Sequence, residues 1–375
     1  MQQMGYKLNQ PSLVMKELPL LCLAAILAGI GLMLIYSATC PMGEAGRTYV
    51  IKQITWCSFG LVLMSIFLLF DYHVLERWAV WIYIIVVVAL IAVWGVGKVT
   101  AGSRRWIELG LMRFQPSEFA KLAMVIVLAK YFQNRAGREG SQLGEIVQAL
   151  MLTAVPFCLV LIQPDLGTAG VIVLISLSVI VFVVANKKIL LWAGGVFLGL
   201  LPIVLLVGDR FLLDYQKRRL LTFLNPDYDP LGAGYHIIQS QIAIGSGGIL
   251  GKGFLKGTQN QLMFLPVKHT DFIFSILAEE WGFIGCVVVL LLFTILFFRG
   301  FGIAGKSKDN FGAILAFGCT VLLFWHVVVN VGMVMGLLPV VGVPLVFLSY
   351  GGSSLLVSFL AVAILVNVSM RRYSY

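Results

Sequence analysis

A small set of residues carries side chains whose types and spacing could do chemistry together. Asp271 follows Lys268, His269 and Thr270 and stands directly before a long apolar run, at the end of a polar, glycine-rich stretch. A carboxylate in such a half-sheltered place can serve as a general base, an effect worth about 100- to 10,000-fold in rate. Glu118 and Lys121 are three residues apart, so one helix face would hold both. They lie in an apolar segment, where an ionisable group costs about 2.5–3.5 kcal/mol even on insertion scales. Asp165 belongs to a tight Gln163-Pro164-Asp165 turn, and Arg104, Arg105 and Arg113 come just ahead of Glu118. Guanidinium groups match phosphate oxygens in pairs. A base among several cations outlines a site that moves a proton beside an anionic, phosphate-like group.

Each of these residues has a plainer alternative. Thr270 or Asp271 could simply cap the helix that follows. Glu118 and Lys121 could be a structural ion pair, and the arginines solvated charges. Glu279 and Glu280 are adjacent and point to different helix faces, so they read as interfacial residues favoured by the helix dipole. His326 and Asn330 lie one turn apart deep in an apolar run. They are expected to hydrogen-bond a neighbouring helix, with a proton path as the alternative. The stretch GSGGILGKG (Gly245 to Gly253) fails the spacing of a phosphate-binding loop. It reads as a flexible turn after a short amphipathic helix, His236 to Ile244, on the membrane surface.

The elements that must position these groups are apolar helices. Of 375 residues, 60% are hydrophobic and 12% charged, and the mean hydropathy is +0.96. A soluble chain could not keep its surface polar with that balance, so the fold class is an all-α polytopic membrane protein. Runs of bilayer-spanning length fall near 18–39, 52–70, 74–96, 117–132, 146–162, 167–186, 189–207, 273–298, 311–335 and 344–369. That makes about ten transmembrane helices in a single domain, 1–375, with a long extracytoplasmic loop, about 208–272, between spans seven and eight. The first run reads as a retained span rather than a signal peptide.

Orientation follows from the short loops. Arg77, Lys130, Arg135, Arg138, Lys187, Lys188, Arg299, Lys306, Lys308, Arg371 and Arg372 share one side, which the positive-inside rule makes cytoplasmic, with both termini. Asp271, Asp165, Glu118, Lys121, Arg105 and Arg113 then all gather at the outer face. The formal charge of +10 flanks lipid-spanning helices, which suits anionic head groups or a phosphate-bearing lipid and not nucleic acid. Six scattered cysteines show neither a disulfide framework nor metal-ligand spacing.

Four stretches carry a family resemblance. They are WIELGLMRFQPSEFAKL (Trp106 to Leu122), LIQPDLGT (Leu161 to Thr168), the segment from Arg218 to Gly282 that contains FLPVKHTDF, and NVGMVMGLLPVVGVPLVFLSYGGSS (Asn330 to Ser354). In this order, over nearly the whole chain, they resemble the SEDS family of bacterial cell-wall synthases, its elongation branch more than its division branch. Val267-Lys268 and Val346 depart from the family's commoner residues; Lys268 keeps the positive charge. The resemblance implies a peptidoglycan glycosyltransferase that polymerises lipid II at the outer face of the bacterial cytoplasmic membrane. It maps the essential carboxylate to Asp271 and the family's polar set to Arg105, Arg113, Glu118, Lys121 and Asp165, with Lys268 and His269 beside the substrate. The partners implied are a class B penicillin-binding transpeptidase, other elongation-complex membrane proteins and membrane lipid. No cofactor is spelled out, although the chemistry leaves room for a divalent cation between a pyrophosphate and Asp271 or Asp165. The rival readings are a lipid II flippase and a non-catalytic scaffold. A flippase would need essential polar groups at the bilayer midplane.

Overall fold

The computed structural model describes residues 10–100, 103–109, 112–135, 142–184, 221–223, 232–264 and 269–372. Helices α1 (Gln10–Thr39), α2 (Glu44–Leu69), α3 (His73–Val96), α4 (Pro116–Phe132), α5 (Gln142–Ile162) and α6 (Leu166–Val183) follow the first six apolar runs. Then come α7 (Ala233–Gly247), the one-turn α8 (Thr258–Gln261), α9 (Ile273–Gly305), α10 (Asn310–Val334) and α11 (Gly352–Arg371). Among the described residues eight helices are long and apolar enough to cross a membrane. The shorter α4, with Glu118 and Lys121, matches a ninth expected span. The expected seventh span, 189–207, lies outside the described residues, as do 208–220, 224–231 and 265–268 of the 208–272 connection.

A helix that is apolar all round is either enclosed by protein or faces lipid. In their most apolar stretches α11 and α10 are 89% and 72% buried, against 17% for α3. So α10 and α11 form the centre, together with α4, which is buried along nearly its whole length. Around them α11 packs on α2, α3 on α4, α9 on α10 and α7 on α9.

The structure corrects four expectations. The last span begins at Gly352, not near 344, because Pro344 and the positive φ angles of Gly336, Gly342 and Phe347 prevent a helix. Met335–Gly351 is therefore an irregular segment, yet Val343 and Leu345 to Leu348 are fully buried in it. Second, α9 is broken at Gly282, with φ 65° and ψ −164°. Third, the basic stretch ahead of α4 is a three-stranded antiparallel ribbon of β1 (Lys98–Thr100), β2 (Ser103–Leu109) and β3 (Met112–Phe114). Fourth, α7 does not rest on the membrane surface alone. Its Ser240 is fully buried, donates to the Val334 carbonyl at 2.7 Å and meets Ser275 Oγ at 2.8 Å.

The glycine-rich stretch after α7 is stitched to the break in α9 rather than flexible. Breaking a helix orphans carbonyls before the break and N–H groups after it. Here Lys252 N and Gly253 N donate to the carbonyls of Glu279 and Glu280, both at 3.0 Å. Phe283 N and Ile284 N donate to Gly248 and Ile249 at 2.9 and 3.1 Å. Gly248, Gly251 and Gly253 supply the positive φ angles this path requires. At the opposite end of the bundle Asp309 caps α10, Arg371 pairs with Asp71 at 3.3 Å and Asn367 holds the carbonyls of Phe67 and Phe70.

Two glycines of α1 test this packing. A Cβ on Gly31 would lie 2.3 Å from the Phe347 carbonyl oxygen, whereas Gly29 has nothing within 4 Å. Gly31→Ala is expected to cost about 1–3 kcal/mol by overpacking. Gly29→Ala is expected to be neutral or to stabilise by up to about 1 kcal/mol. Thermal melting of the two variants in detergent checks this; equal shifts would mean that α1 does not seat the irregular segment.

Candidate active site

Asp271 stands one residue before the cap position of α9, which falls on Phe272 rather than on Thr270 or Asp271. Its turn is held by three successive main-chain carbonyls. Tyr350 N donates to His269 O at 2.8 Å, Ser349 Oγ to Thr270 O at 2.5 Å and Asn330 Nδ2 to Asp271 O at 2.9 Å. The second amide proton of the fully buried Asn330 goes to Val343 O at 2.7 Å. Ser349 Oγ also accepts from Leu345 N at 2.8 Å, and Gln53 Nε2 of α2 donates to Ser349 O at 3.3 Å. Three elements thus fix one tripeptide. The half-buried Asp271 carboxylate lies beside Gly342, where an added Cβ would come within 3.2 Å of Oδ2.

The same irregular segment reaches Asp165. A Cβ on Gly167 would meet the Val341 carbonyl oxygen at 2.3 Å, so the start of α6 presses against the residue next to Gly342. Asp165 caps α6, accepting from Thr168 N at 3.2 Å and Thr168 Oγ1 at 3.0 Å. Arg105, from β2, donates to Pro164 O and lies 3.6 Å from Asp165 Oδ2. Arg105 is 22% exposed and Asp165 2%, so the carboxylate is the inner, fixed member of the pair.

A buried chain arrives from the other side. Glu118 Oε1 meets Lys121 Nζ at 2.7 Å, and Lys121 Nζ meets His326 Nε2 at 2.7 Å. His326 Nδ1 lies 3.1 Å from Pro344 O. A carbonyl can only accept, so Nδ1 carries the proton, and Nε2 accepts from the ammonium. All three side chains are buried. Lys121 is thus enclosed between partners, and His326 links it to Pro344, two residues after Gly342.

His269 to Asp271 are thus tied to the segment Val341 to Tyr350 directly, Glu118 and Lys121 reach it through His326, and Asp165 and Arg105 adjoin it through the start of α6 at Gly167. Arg113 stands opposite Glu108 in the ribbon, and its side chain lies outside the described part, as does the whole of Lys268. His326 and Asn330 do bond to neighbouring segments, as expected. Glu279 and Glu280 are not interfacial but fully buried. Glu279 Oε1 accepts from Lys252 Nζ, Thr258 Oγ1 and Gln259 N at 2.7, 3.0 and 3.0 Å; Glu280 accepts from Ser37. Sequence reasoning missed Gln53. A polar residue inside an apolar run, as Gln53 is, was the available signal. Among the described residues no three His, Cys, Asp or Glu side chains gather as a metal cage.

Comparison with known proteins gives this geometry a context. The family model described as cell cycle protein, covering FtsW, RodA and SpoVE, matches residues 17–374. The chain is 42% identical over 343 residues, 91% of each chain, to peptidoglycan glycosyltransferase MrdB of Escherichia coli K12. It superposes with a TM-score of 0.79 and 30% identity on a chain of a peptidoglycan synthase complex described as coordinating polymerization and crosslinking, covering 95% of this chain and 98% of that one. The rod shape determining protein RodA of Thermus thermophilus matches with a TM-score of 0.69 and 28% identity over 95% of this chain and 97% of that one. With agreement in sequence and fold from end to end, the chain belongs to the FtsW/RodA/SpoVE family, the SEDS family that its motifs resemble.

Proposed function

We propose that the chain is a peptidoglycan glycosyltransferase that polymerises lipid II during cell elongation, at the outer face of the cytoplasmic membrane, with both termini in the cytoplasm. The shared name of relatives matched over nearly their whole length supports the activity. The mechanism is supported above all by the clamp on His269–Asp271. Three hydrogen bonds to its main-chain carbonyls, one from a main-chain N–H and two from side chains, hold the turn that carries a half-buried carboxylate, whose helix is capped one residue further on.

In this mechanism Asp271 takes the proton from the C4 hydroxyl of the acceptor sugar. The freed oxygen pair forms a bond to C1 of the donor sugar as the bond from C1 to the lipid pyrophosphate breaks on the opposite face. An α-linked donor gives a β-linked product, and undecaprenyl pyrophosphate leaves with the negative charge. Arg105, Arg113 and Lys268 stabilise that charge. Asp165 orients Arg105. Glu118 and Lys121 act through His326 and Pro344 as positioning residues for the segment beside Asp271. A class B penicillin-binding transpeptidase is the partner, in keeping with the synthase complex among the structural relatives. A flippase draws no support from the midspan polar groups, since His326 and Asn330 both bond to protein.

Asp271→Asn keeps the size of the side chain and is expected to lower polymerisation of purified lipid II by roughly 100- to 10,000-fold with an unchanged melting temperature. Normal glycan synthesis by this variant would remove the base from the mechanism. Lys121→Met leaves Glu118 as a buried unpaired carboxylate and is expected to cost about 3–5 kcal/mol of stability. The double variant Glu118→Gln, Lys121→Met should recover most of that loss. If Lys121→Met instead melts normally while losing activity, the lysine touches substrate directly.

A further inference from the structure

Beside Asp271 three aromatic rings meet that the mechanism leaves unused. Tyr49 lies 4.6 Å from His269 and 5.1 Å from Tyr350 between ring centroids, and His269 lies 5.6 Å from Tyr350. The rings are tilted or edge-on to one another, and each residue is only half-buried, so part of each ring remains accessible. Their placement is built, not incidental. Tyr49 sits one turn before Gln53, whose amide bonds Ser349 O at 3.3 Å and receives Gly351 N at 3.4 Å. Tyr350 N holds His269 O at 2.8 Å, two residues ahead of Asp271. The bonds that fix the Asp271 turn therefore also fix this cluster.

We propose that Tyr49, His269 and Tyr350 form a stacking platform for the pyranose ring of the acceptor, the sugar whose hydroxyl meets Asp271. A pyranose is amphipathic: its hydroxyls radiate from the rim, while its C–H bonds form weakly positive faces. Aromatic faces carry the complementary negative quadrupole. Phenol and imidazole groups also offer donors and acceptors to the sugar rim. Anchoring the ring against His269 places its rim within two residues of the base. Orienting the reacting oxygen in this way contributes to the rate beyond the proton transfer itself. This subsite rests on the glycosyltransferase reading and adds the part of the substrate that the aromatic groups recognise.

The test compares a ligand with sugars and the same carrier without them. Binding of lipid II and of undecaprenyl pyrophosphate is measured on the full chain in lipid nanodiscs, in the Asp271→Asn background so that lipid II is not consumed. Tyr49→Leu and Tyr350→Leu keep apolar bulk but remove the stacking face. Each is expected to weaken lipid II binding about five- to tenfold, at unchanged carrier affinity and melting temperature. Tyr49→Phe and Tyr350→Phe should retain most of the affinity. Tyr36→Leu, on the exposed aromatic pair with Phe254, should change neither ligand. In the otherwise native chain the leucine variants should raise KM for lipid II more than they lower kcat. Equal weakening of both ligands, or of neither, overturns the platform. If that occurs while Asp271→Asn still abolishes polymerisation, the enzyme reading stands and only the sugar site falls.

Discussion

Main-chain polar groups have no water to turn to inside a bilayer, so an irregular segment there must find every partner within the protein. The stretch from Val343 to Ser349, packed into the protein core, faces the same demand. Its carbonyls at Val343, Pro344 and Ser349 are met by Asn330, His326 and Gln53, and Ser349 Oγ meets Leu345 N. An unmet buried group would cost about 1–3 kcal/mol, so each of these polar side chains repays its presence among apolar helices. The same side chains carry the site. Asn330 spans from Val343 to Asp271, Ser349 from Leu345 to Thr270, and His326 from Pro344 to Lys121. Satisfying the segment and holding the His269–Asp271 turn are one set of hydrogen bonds.

A second interruption follows the same rule. The break at Gly282 separates a short first half of α9, enclosed on all sides from Ile273 to Glu280, from a second half with lipid-facing residues such as Phe283 and Leu291. The glycine-rich stretch supplies the four missing main-chain partners, Glu279 ties it down through Lys252, and Glu280 ties the half-helix to Ser37 of α1. The half-helix is thereby a strut fixed at both ends. One end carries Asp271 in its carbonyl clamp and the other is stitched to the glycine-rich stretch.

Much of this was legible in the sequence. Six of the spans before the connection and three after it follow from apolar length alone, and Asp271, Asp165, Glu118 and Lys121 stand out as charges in apolar surroundings. What escaped has identifiable causes. The tenth span looked continuous because Val343 to Leu348 is as apolar as a helix, and only Pro344 and the two glycines before it mark a chain that enters without spanning. The ribbon of β1 to β3 is short and charged, so its alternation is masked by arginines. Gly282 gave no sign, because a single glycine inside a helical pattern is tolerated. Above all, sequence spacing could group residues along one helix, as with Glu118 and Lys121, but not across the six elements that meet at Val341 to Tyr350. The fold class needs only hydropathy, whereas the site needs the partners of each carbonyl.

The basic residues show how burial divides groups that look equivalent in sequence. Lys121 and Arg105 lie sixteen positions apart in the sequence. The lysine is fully buried, with its ammonium between a carboxylate and an imidazole. It completes a neutralised interior chain, and a substrate phosphate would have to break that chain to reach it. Arg105 is partly exposed, is held at one end by Pro164 O and Asp165, and keeps its Nε without a protein partner among the described residues. A guanidinium with five donors can be anchored and still present others to an anion. The physical difference between the two side chains thus matches two tasks. A compact ammonium closes a buried junction, and a planar fork is fixed by its neighbours while its side chain stays partly exposed.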